Sequence, residues 1–461
     1  MSCIISAPST DSGKTTLSLL ISCWAYSKKL TLQTFKVGPD YLDQQQLSAI
    51  GQPICRNLDV FLSGEEWVKT TFLNYANKYD LSLVEGAMGL FDGLGSTHYS
   101  STANIAKILD LPIVFIVNAR GQSASLLPLI KGFSDFDSEI FIKGVIFNNV
   151  NSQRHKQLIK EVFQNQNVEI IGFLPSDDKI ALSKADLGII SPKDSEKTID
   201  IEYFADYAER NLDFQKFKKF LLPNNFDRNT LNSFDSNLKI KSQRPVAIAD
   251  DKIFHFQYPE TKEFFDAIGI PIVSWNLYDD EEIPNEAKIL IIPGGFPEKY
   301  AQHINSSKKS LESLRQFKNK GFIYAECGGM MILGNSIKDQ SGKVYEMSKI
   351  LPFNSKKGKL SVGYRYIKGI KDSNLIKKNQ LCKGHEFHYW QIEKQSINSI
   401  SNKYNLKNQF TSSWMIKSWG TDYKNEGWNS ENLHASWVHL HLPSNIYAAK
   451  NFIEIFNKFS K

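Results

Sequence analysis

One cysteine, Cys327, lies between an apolar run and two glycines in the segment Tyr324-Ala325-Glu326-Cys327-Gly328-Gly329. The run before it is rich in β-forming residues and the small residues after it open a helix, so the sequence predicts a strand-to-helix elbow. Such an elbow directs the thiol outward, offers backbone N–H groups to an oxyanion and lowers the thiol pKa through the positive end of the helix. Cys327 is therefore a candidate nucleophile. The alternative is a buried, inert cysteine.

A histidine that could activate this thiol follows later in the chain, in the segment Ala435-Ser436-Trp437-Val438-His439-Leu440-His441. Its alternating pattern predicts a strand, on which His439 and His441 lie on one face. Because a cysteine nucleophile needs a base, we expect His439 to fill that role, with His441 as its rival.

The amino terminus carries a second candidate chemistry, a phosphate-binding loop. A short apolar strand leads through Ala7-Pro8-Ser9-Thr10-Asp11-Ser12-Gly13-Lys14-Thr15-Thr16 into an apolar helix. This order predicts that backbone N–H groups wrap a phosphate, that the Lys14 ammonium reaches the β/γ oxygens and that the Thr15 hydroxyl meets Mg²⁺. Two residues depart from the usual pattern: Pro8 replaces the first glycine, and Asp11 adds negative charge. The alternative is an ordinary helix start.

Polar clusters follow three predicted strands, at the sheet edge where open α/β folds bind ligands. The segment 36–43 ends a strand in a Gly-Pro turn with two carboxylates, which turn formation alone could explain. Glu85 precedes a glycine-rich segment and is a candidate Mg²⁺ ligand, or else a cap of the turn at Gly86. Asn148 and Asn149 either read a nucleotide base or form a turn.

The composition limits the class of protein. A chain of 461 residues, of which 41% are hydrophobic, suits two or three domains. The net charge of +6 comes without a basic stripe bearing aromatics, so we expect no nucleic-acid partner. Five cysteines scattered without paired spacing favour a reducing cytoplasm over a disulfide framework. The sequence has no run of membrane-spanning length and no room for a signal peptide before the phosphate loop, so we expect no membrane partner.

The elements that must position these residues show an α/β rhythm. Apolar strands predicted at 32–37, 81–84, 113–117, 141–147 and 168–171 alternate with helices, which indicates a parallel sheet covered on both faces. The rhythm stops over 191–243, predicted to be a helical edge and linker. It resumes with strands at 245–249, 270–273 and 289–292, so the predicted domains are 1–190, 191–243 and 244–450.

Taken in order, these motifs resemble those of the cobyrinic acid a,c-diamide synthases, glutamine-dependent amidotransferases of corrinoid biosynthesis, over nearly the whole chain. The segments Lys36-Val37-Gly38-Pro39-Asp40-Tyr41 and Glu85-Gly86-Ala87-Met88-Gly89 look specific to that family. The other matching segments are 7–16, 110–120, 293–298, 325–329, 363–365, 384–389 and 435–441. The resemblance implies a phosphate-loop parallel-sheet domain like dethiobiotin synthetase, followed by a class I glutamine amidotransferase α/β domain.

The resemblance also implies roles. Cys327 would attack glutamine and His439 would move the proton as a dyad, because His441 occupies the position of the acid in triad-type relatives. The implied ATP-binding residues are Ser12, Gly13, Lys14, Thr15, Thr16 and Asn148. The implied Mg²⁺ ligands are Thr15, Asp43 and Glu85. The residues implied to line the acceptor and oxyanion sites are Asp40, Tyr41, Leu42, Asp92, Gly295 and Gly328. Asn149 stands where relatives usually carry arginine.

Two functions stay open at this point. The chain is this ligase, or a non-enzymatic regulator or partition-type ATPase that shares the phosphate loop and has an idle amidotransferase fold; intact Cys327, His439, Glu85 and Asp40 favour the enzyme. The acceptor is cobyrinate, its metal-free hydrogenobyrinate counterpart or a nickel tetrapyrrole. The expected partners are small molecules, namely the corrinoid acid, L-glutamine and ATP, and a homodimer is left open.

Overall fold

The computed structural model describes residues 2–182, 199–223, 240, 242–393 and 410–460, together with the short strands Lys184–Ala185 and Gly188–Ile189. The chain forms two compact units, Met1–Ser233 and Phe234–Lys461. Parts of the predicted linker 191–243 lie outside the described residues, and its described helices belong to the first unit. The predicted domain boundaries stay a prediction.

The first unit is built on a seven-stranded sheet with the order β3-β2-β4-β1-β5-β6-β7, in which every pair is parallel. Its strands are β1 Cys3–Ser6, β2 Leu32–Val37, β3 Arg56–Leu58, β4 Leu81–Glu85, β5 Ile113–Asn118, β6 Ile142–Asn148 and β7 Glu169–Leu174, and the short pair β8 and β9 is Lys184–Ala185 and Gly188–Ile189. Its helices are α1 Lys14–Ser27, α2 Tyr41–Ser48, α3 Val60–Ser63, α4 Glu65–Ala76, α5 Thr102–Leu109, α6 Leu126–Phe136, α7 Gln153–Phe163, α8 Ile201–Asn211 and α9 Phe214–Phe217.

Both faces of this sheet are buried, as a parallel sheet requires. Ile4 and Ile5 are adjacent on β1, yet Ile4 belongs to one apolar core and Ile5 to the other, because successive side chains point to opposite faces. Helix α1 packs with α8 on the face that contains Ile5. The predicted fold class is confirmed. The three-residue edge strand β3 was not predicted, since Arg56 and Asn57 give it no apolar run.

The second unit contains two larger sheets. The first has the order β12-β10-β13-β15-β23-β22, parallel except for β22, and the second is β17-β16-β18-β20-β21, with β19 paired to β18. The strands are β10 Val246–Ala249, β11 Phe254–Phe256, β12 Ile272–Trp275, β13 Ile289–Ile292, β14 Gly294–Gly295, β15 Phe322–Glu326, β16 Ser336–Lys338, β17 Val344–Glu346, β18 Asn354–Lys368, β19 Leu381–Ile392, β20 Trp414–Lys417, β21 Lys424–Glu426, β22 Trp428–Ser430 and β23 Leu433–Ser436. The helices are α10 Pro259–Ile268, α11 Ala301–Ser306, α12 Lys308–Phe317, α13 Gly328–Met331 and α14 Ile446–Phe459, the last of which extends past the predicted boundary at 450.

The strand that was predicted to carry His439 is shorter than expected. β23 ends at Ser436, and His439 instead forms an isolated bridge with His385 of β19. The two residues exchange backbone hydrogen bonds of 2.8 and 3.0 Å. His439 is therefore held from a neighbouring antiparallel sheet, not within a regular strand.

No helix in the described part of the chain combines the length and the hydrophobicity that crossing a bilayer needs.

His434 is an interior histidine on β23, between the rings of Trp414 and Tyr324 at centroid distances of 4.5 and 5.6 Å. Its side chain is fully buried, and within the described residues neither ring nitrogen has a hydrogen-bond partner. Burial lowers the pKa of His434 to about 3. The folded protein thus holds this imidazole neutral, whereas an unfolded chain would protonate it below its ordinary pKa of about 6.5.

We predict that this histidine makes the second unit sensitive to mild acid. A depressed folded pKa contributes stability above the unfolded pKa, and that stability is lost as the pH falls from 6.5 toward 3. Between pH 7 and 5 the loss from this group should be about 2 kcal/mol. In His434→Phe, which cannot titrate, the free energy of unfolding measured by urea denaturation should fall less steeply with pH than in wild type. The exposed His98→Gln variant is the control, and equal pH slopes for His434→Phe and wild type would contradict the prediction.

Candidate functional site

The phosphate loop joins β1 to α1. Gly13 has φ 109°, in the left-handed region that favours glycine, and a Cβ at this position would lie 2.5 Å from Asn148 Nδ2. Lys14 begins α1, and its ammonium donates to the carbonyls of Ser9 (3.2 Å) and Met88 (2.5 Å). Burial, with the charge of Lys36, lowers the pKa of Lys14 to about 8. The ammonium thus bridges the loop and the segment that follows β4, and a bound phosphate would offer it a charged acceptor in place of these carbonyls.

Asn148 supports this loop from the neighbouring strand. Its Nδ2 donates to the Ser12 carbonyl at 3.0 Å, and its Oδ1 accepts from the Asn149 N–H at 2.9 Å. Asn149 has φ 62° and donates its own amide to Asn118 Oδ1 at 3.0 Å. Both ends of the Asn148 amide are therefore engaged within the protein, and its base-reading role stays a prediction.

Glu85, the last residue of β4, brings the predicted metal ligands together. It is 1% exposed, and its Oε1 accepts from Thr15 Oγ1 at 2.6 Å and from Lys36 Nζ at 2.8 Å. Lys36 also pairs with Asp43 at 2.6 Å. Thr15 and Lys36 thus share one oxygen of Glu85, and Lys36 links that carboxylate to Asp43. Among the described residues, Glu85 Oε2 is buried without a hydrogen bond.

This donor set fits a hard cation. A buried carboxylate oxygen without a partner carries a large desolvation penalty, which a divalent ion would remove. Carboxylate and hydroxyl oxygens are also the ligands that Mg²⁺ accepts. The described residues contain no group of three or more His, Cys, Asp or Glu side chains able to hold a metal, so an ion here would take its remaining ligands from phosphate and water.

Lys36 is a residue to which the sequence analysis gave no role. Its ammonium is 3% exposed between two carboxylates. Burial acts to lower the pKa of Lys36, but Asp43 and Glu85 outweigh burial and raise that pKa above its ordinary value. In the sequence, the available signal was a lysine inside the predicted strand 32–37. The structure shows that all six residues of this strand, β2, are buried.

Three of the predicted acceptor residues, Asp40, Tyr41 and Leu42, lie at the start of α2. Asp40 caps this helix, accepting from the backbone N–H groups of Leu42 (2.9 Å) and Asp43 (3.0 Å), and burial together with the Asp43 charge raises the pKa of Asp40 to about 7. Tyr41 and Leu42 are almost fully buried. Asp92 is exposed and accepts from the Gly89 N–H at 2.9 Å.

In the second unit, Cys327 follows β15 with φ 48° and ψ −111°, which is strained for a residue other than glycine. Its N–H donates to the Ser436 carbonyl at 2.7 Å, and its Sγ lies 3.9 Å from the Phe387 carbonyl oxygen. The predicted elbow is present, but Cys327 is only 3% exposed, so the expectation that the elbow directs the thiol outward is wrong. Strained backbone of this kind is common where a side chain must be aimed at a substrate.

The start of the helix acts on the thiol in the expected direction, since the Gly328 N–H lowers the pKa of Cys327, but burial outweighs it and the net change is a raised pKa. Burial raises the pKa of Cys327, and the carboxylates of Glu298, Glu386 and Glu326 act in the same direction. The following helix, α13, has a single turn, so its dipole is weak. Forming a thiolate here therefore depends on proton transfer to a nearby base.

His439 is fully buried beside β14. A Cβ at Gly294 would overlap the imidazole Cε1, and a Cβ at Gly328 would lie 2.7 Å from the Gly295 carbonyl. The histidine and the nucleophile elbow therefore both contact the Gly294–Gly295 strand, and only glycines permit such close approach. On the other edge of the ring, Nδ1 lies 3.4 Å from Glu326 Oε2, a contact that the sequence analysis missed.

His441, the rival base, has other neighbours. Its Nδ1 forms a 2.7 Å hydrogen bond with Ser444 Oγ, its Nε2 lies 4.0 Å from Glu260 Oε2, and its ring packs on Tyr258. The two histidines thus face two different glutamates.

Comparison with known proteins covers both units. Residues 3–187 match the CobQ/CobB/MinD/ParA nucleotide binding domain, and residues 246–446 match the CobB/CobQ-like glutamine amidotransferase domain. The chain is 34% identical to the cobyrinate a,c-diamide synthase of Caldanaerobacter subterraneus over 99% of both chains. It is 31% identical to that of Synechococcus sp. over 98% of each chain, and 32% identical to that of Gloeobacter violaceus over 98% of this chain and 96% of the relative.

We predict that Lys36 is essential to the stability of the first unit. Lys36→Met would remove the positive partner of the buried Glu85 carboxylate and of the partly buried Asp43 carboxylate, which should cost about 3 kcal/mol in free energy of unfolding. Chemical denaturation followed by circular dichroism measures this loss. Lys69→Met is the matched control, because Lys69 pairs with Glu65 on the surface and should leave stability nearly unchanged. Equal denaturation midpoints for the two variants would contradict the prediction.

Proposed function

The chain belongs to the cobyrinate a,c-diamide synthase family, and from that premise we propose that it amidates the a and c carboxylates of cobyrinate in cobalamin biosynthesis. It is a glutamine-dependent amide-forming ligase with a nucleotide-binding domain. The names of the relatives support cobyrinate as the acceptor. Assays of cobyrinate, hydrogenobyrinate and a nickel tetrapyrrole side by side test that choice. A cytoplasmic location and a homodimer stay predictions.

The observation that carries the proposal is the pairing of two intact centres in one chain. One is the Cys327 elbow beside a buried histidine, and the other is the phosphate loop whose Lys14 and Thr15 adjoin Glu85. A phosphate-loop regulator could share the buried carboxylate of the nucleotide site, but it has no need of a nucleophile elbow with a strained cysteine.

The second unit would release ammonia from glutamine. His439 takes the thiol proton as Cys327 Sγ adds to the amide carbon, and the oxyanion is held by backbone N–H groups at Gly328 and near Gly295. The histidine then returns the proton to the departing nitrogen, ammonia leaves, and water hydrolyses the thioester to glutamate. The buried ring beside Gly294 and the contact between Gly328 and Gly295 support this assignment.

The first unit would activate the acceptor. A carboxylate oxygen of the corrinoid attacks the γ-phosphorus of ATP, ADP leaves, and ammonia displaces phosphate from the acyl phosphate to give the amide. The residues proposed to hold ATP are Ser12, Gly13, Lys14, Thr15, Thr16 and Asn148. The residues proposed to hold Mg²⁺ are Thr15, Asp43 and Glu85, and the bound ion would neutralise phosphate charge. The residues proposed to line the acceptor site are Asp40, Tyr41, Leu42 and Asp92.

Replacing Cys327 tests the division of labour. Cys327→Ser should abolish amidation with glutamine but keep amidation with ammonium chloride, because the thiol serves only to release ammonia and serine is a far weaker nucleophile. His439→Ala should show the same pattern, while His441→Ala serves as its matched control and stays near normal. A folded Cys327→Ser variant that also fails with ammonia would refute the assignment. Reversed results for the two histidines would transfer the base role to His441.

Replacing Glu85 tests the other centre. Glu85→Gln keeps size and hydrogen bonding but removes the charge that binds a hard cation. Amidation should fall sharply with either nitrogen source, partial recovery is expected at high Mg²⁺, and glutamine hydrolysis should survive. If Glu85 serves only as the charge partner of Lys36, the variant will keep full amidation and lose about 3 kcal/mol of stability. Ammonia-driven amidation and melting temperature, measured on one preparation, distinguish the two roles.

A further inference from the structure

We propose that Glu326 is the positioning residue of the glutaminase centre, orienting His439 and stabilising its protonated form; the inference rests on the proposed function. The position two residues after His439 holds His441, which faces other groups, so no acid is available to His439 there. Glu326 instead approaches His439 from β15, directly before the nucleophile.

The Glu326 carboxylate contacts two consecutive residues of the histidine segment. Oε2 lies 3.4 Å from His439 Nδ1, and Oε1 accepts the Leu440 N–H at 3.0 Å. One oxygen therefore fixes the backbone immediately after the histidine while the other faces its ring. This arrangement restricts both the place and the rotation of the imidazole.

The carboxylate is itself held in place. The Tyr324 hydroxyl, two residues earlier and on the same face of β15, donates to Glu326 Oε1. The side chain of Glu326 is 10% exposed and that of His439 is fully buried. In such a dry site an anion and an imidazolium attract each other more strongly than in water.

This geometry gives the two ring nitrogens of His439 different roles. With Nδ1 toward Glu326, Nε2 is the nitrogen left to take the thiol proton and to return it to the leaving ammonia. The carboxylate stabilises the imidazolium that forms when the proton moves, as the acid of a Ser-His-Asp triad does. Burial raises the pKa of the Cys327 thiol, so proton transfer in this site needs such support.

The spacing of residues along the sequence does not indicate that Glu326 contacts His439, because the contact depends on the pairing of distant strands. Glu326 pairs with Ser436 in the β15–β23 register, and the chain beyond Ser436 folds back so that His439 meets the end of β15. A nearby glutamate offers a matched control. Glu260 is equally buried, but it faces His441 at 4.0 Å.

The test compares Glu326→Gln with Glu260→Gln in the full-length protein. Glu326→Gln should lower kcat for glutamine hydrolysis by about 10²- to 10⁴-fold, with little change in KM and with ammonia-driven amidation intact. Glu260→Gln should hydrolyse glutamine near the wild-type rate. Glu326→Asp, which restores the charge on a shorter arm, should recover part of the loss.

Two further measurements separate positioning from plain structural support. In a His439→Ala background, Glu326→Gln should cause no additional loss, because its effect passes through the histidine. Alkylation of Cys327 by iodoacetamide at pH 7, located by peptide mass spectrometry, should slow in Glu326→Gln as much as in His439→Ala. Additive losses, or failure with both nitrogen sources, would overturn the inference.

The outcomes also distinguish this inference from the proposed function. If Cys327→Ser and His439→Ala lose the glutamine reaction while Glu326→Gln and Glu260→Gln both behave like wild type, only the role of Glu326 is refuted. If Cys327→Ser retains the glutamine reaction, the glutaminase assignment itself is refuted.

Discussion

Glu85 and Glu326 occupy the same kind of place: each is the last residue of an interior strand in a largely parallel sheet, and each is almost completely buried. A carboxylate in such a position is tolerated only if hydrogen bonds and a basic partner compensate for lost water. Glu85 has Thr15 and Lys36, and Glu326 has Tyr324, Leu440 and the His439 ring. The geometry of both centres follows from meeting that requirement.

In the second unit, a further buried carboxylate fixes the backbone that faces the nucleophile. Asp251 accepts the N–H groups of Ile253 and Phe254 with one oxygen and those of Leu277 and Tyr278 with the other. These bonds hold the Ile253 carbonyl so close to Gly295 that a Cβ there would overlap it. Asp251 thus fixes the backbone that packs against β14 (Gly294–Gly295), the strand beside His439 and the elbow.

Much of this architecture could be predicted from the sequence because strands buried on both faces read as continuous apolar runs. The parallel strands carried that signal, and the phosphate loop was recognised by its motif between a strand and a helix. The antiparallel sheet did not, because β18 (Asn354–Lys368) is largely polar and exposed along its middle. The Glu326 contact with His439 depends on the register of distant strands. The direction of the Cys327 pKa depends on burial and on three carboxylates from separate segments, which no local pattern shows.

At both centres burial raises the pKa of an acidic group, Asp40 in the first unit and Cys327 in the second. At the phosphate loop, Lys14 and Lys36 stand among Asp43 and Glu85, and the raised pKa of Asp40 reduces local negative charge, which would favour the acceptor site proposed there. At the elbow, the raised pKa of Cys327 keeps the thiol protonated, and a protonated thiol reacts slowly with oxidants and stray electrophiles. In the proposed mechanism the thiol becomes reactive by transferring its proton to His439, a buried histidine whose ring faces the Glu326 carboxylate.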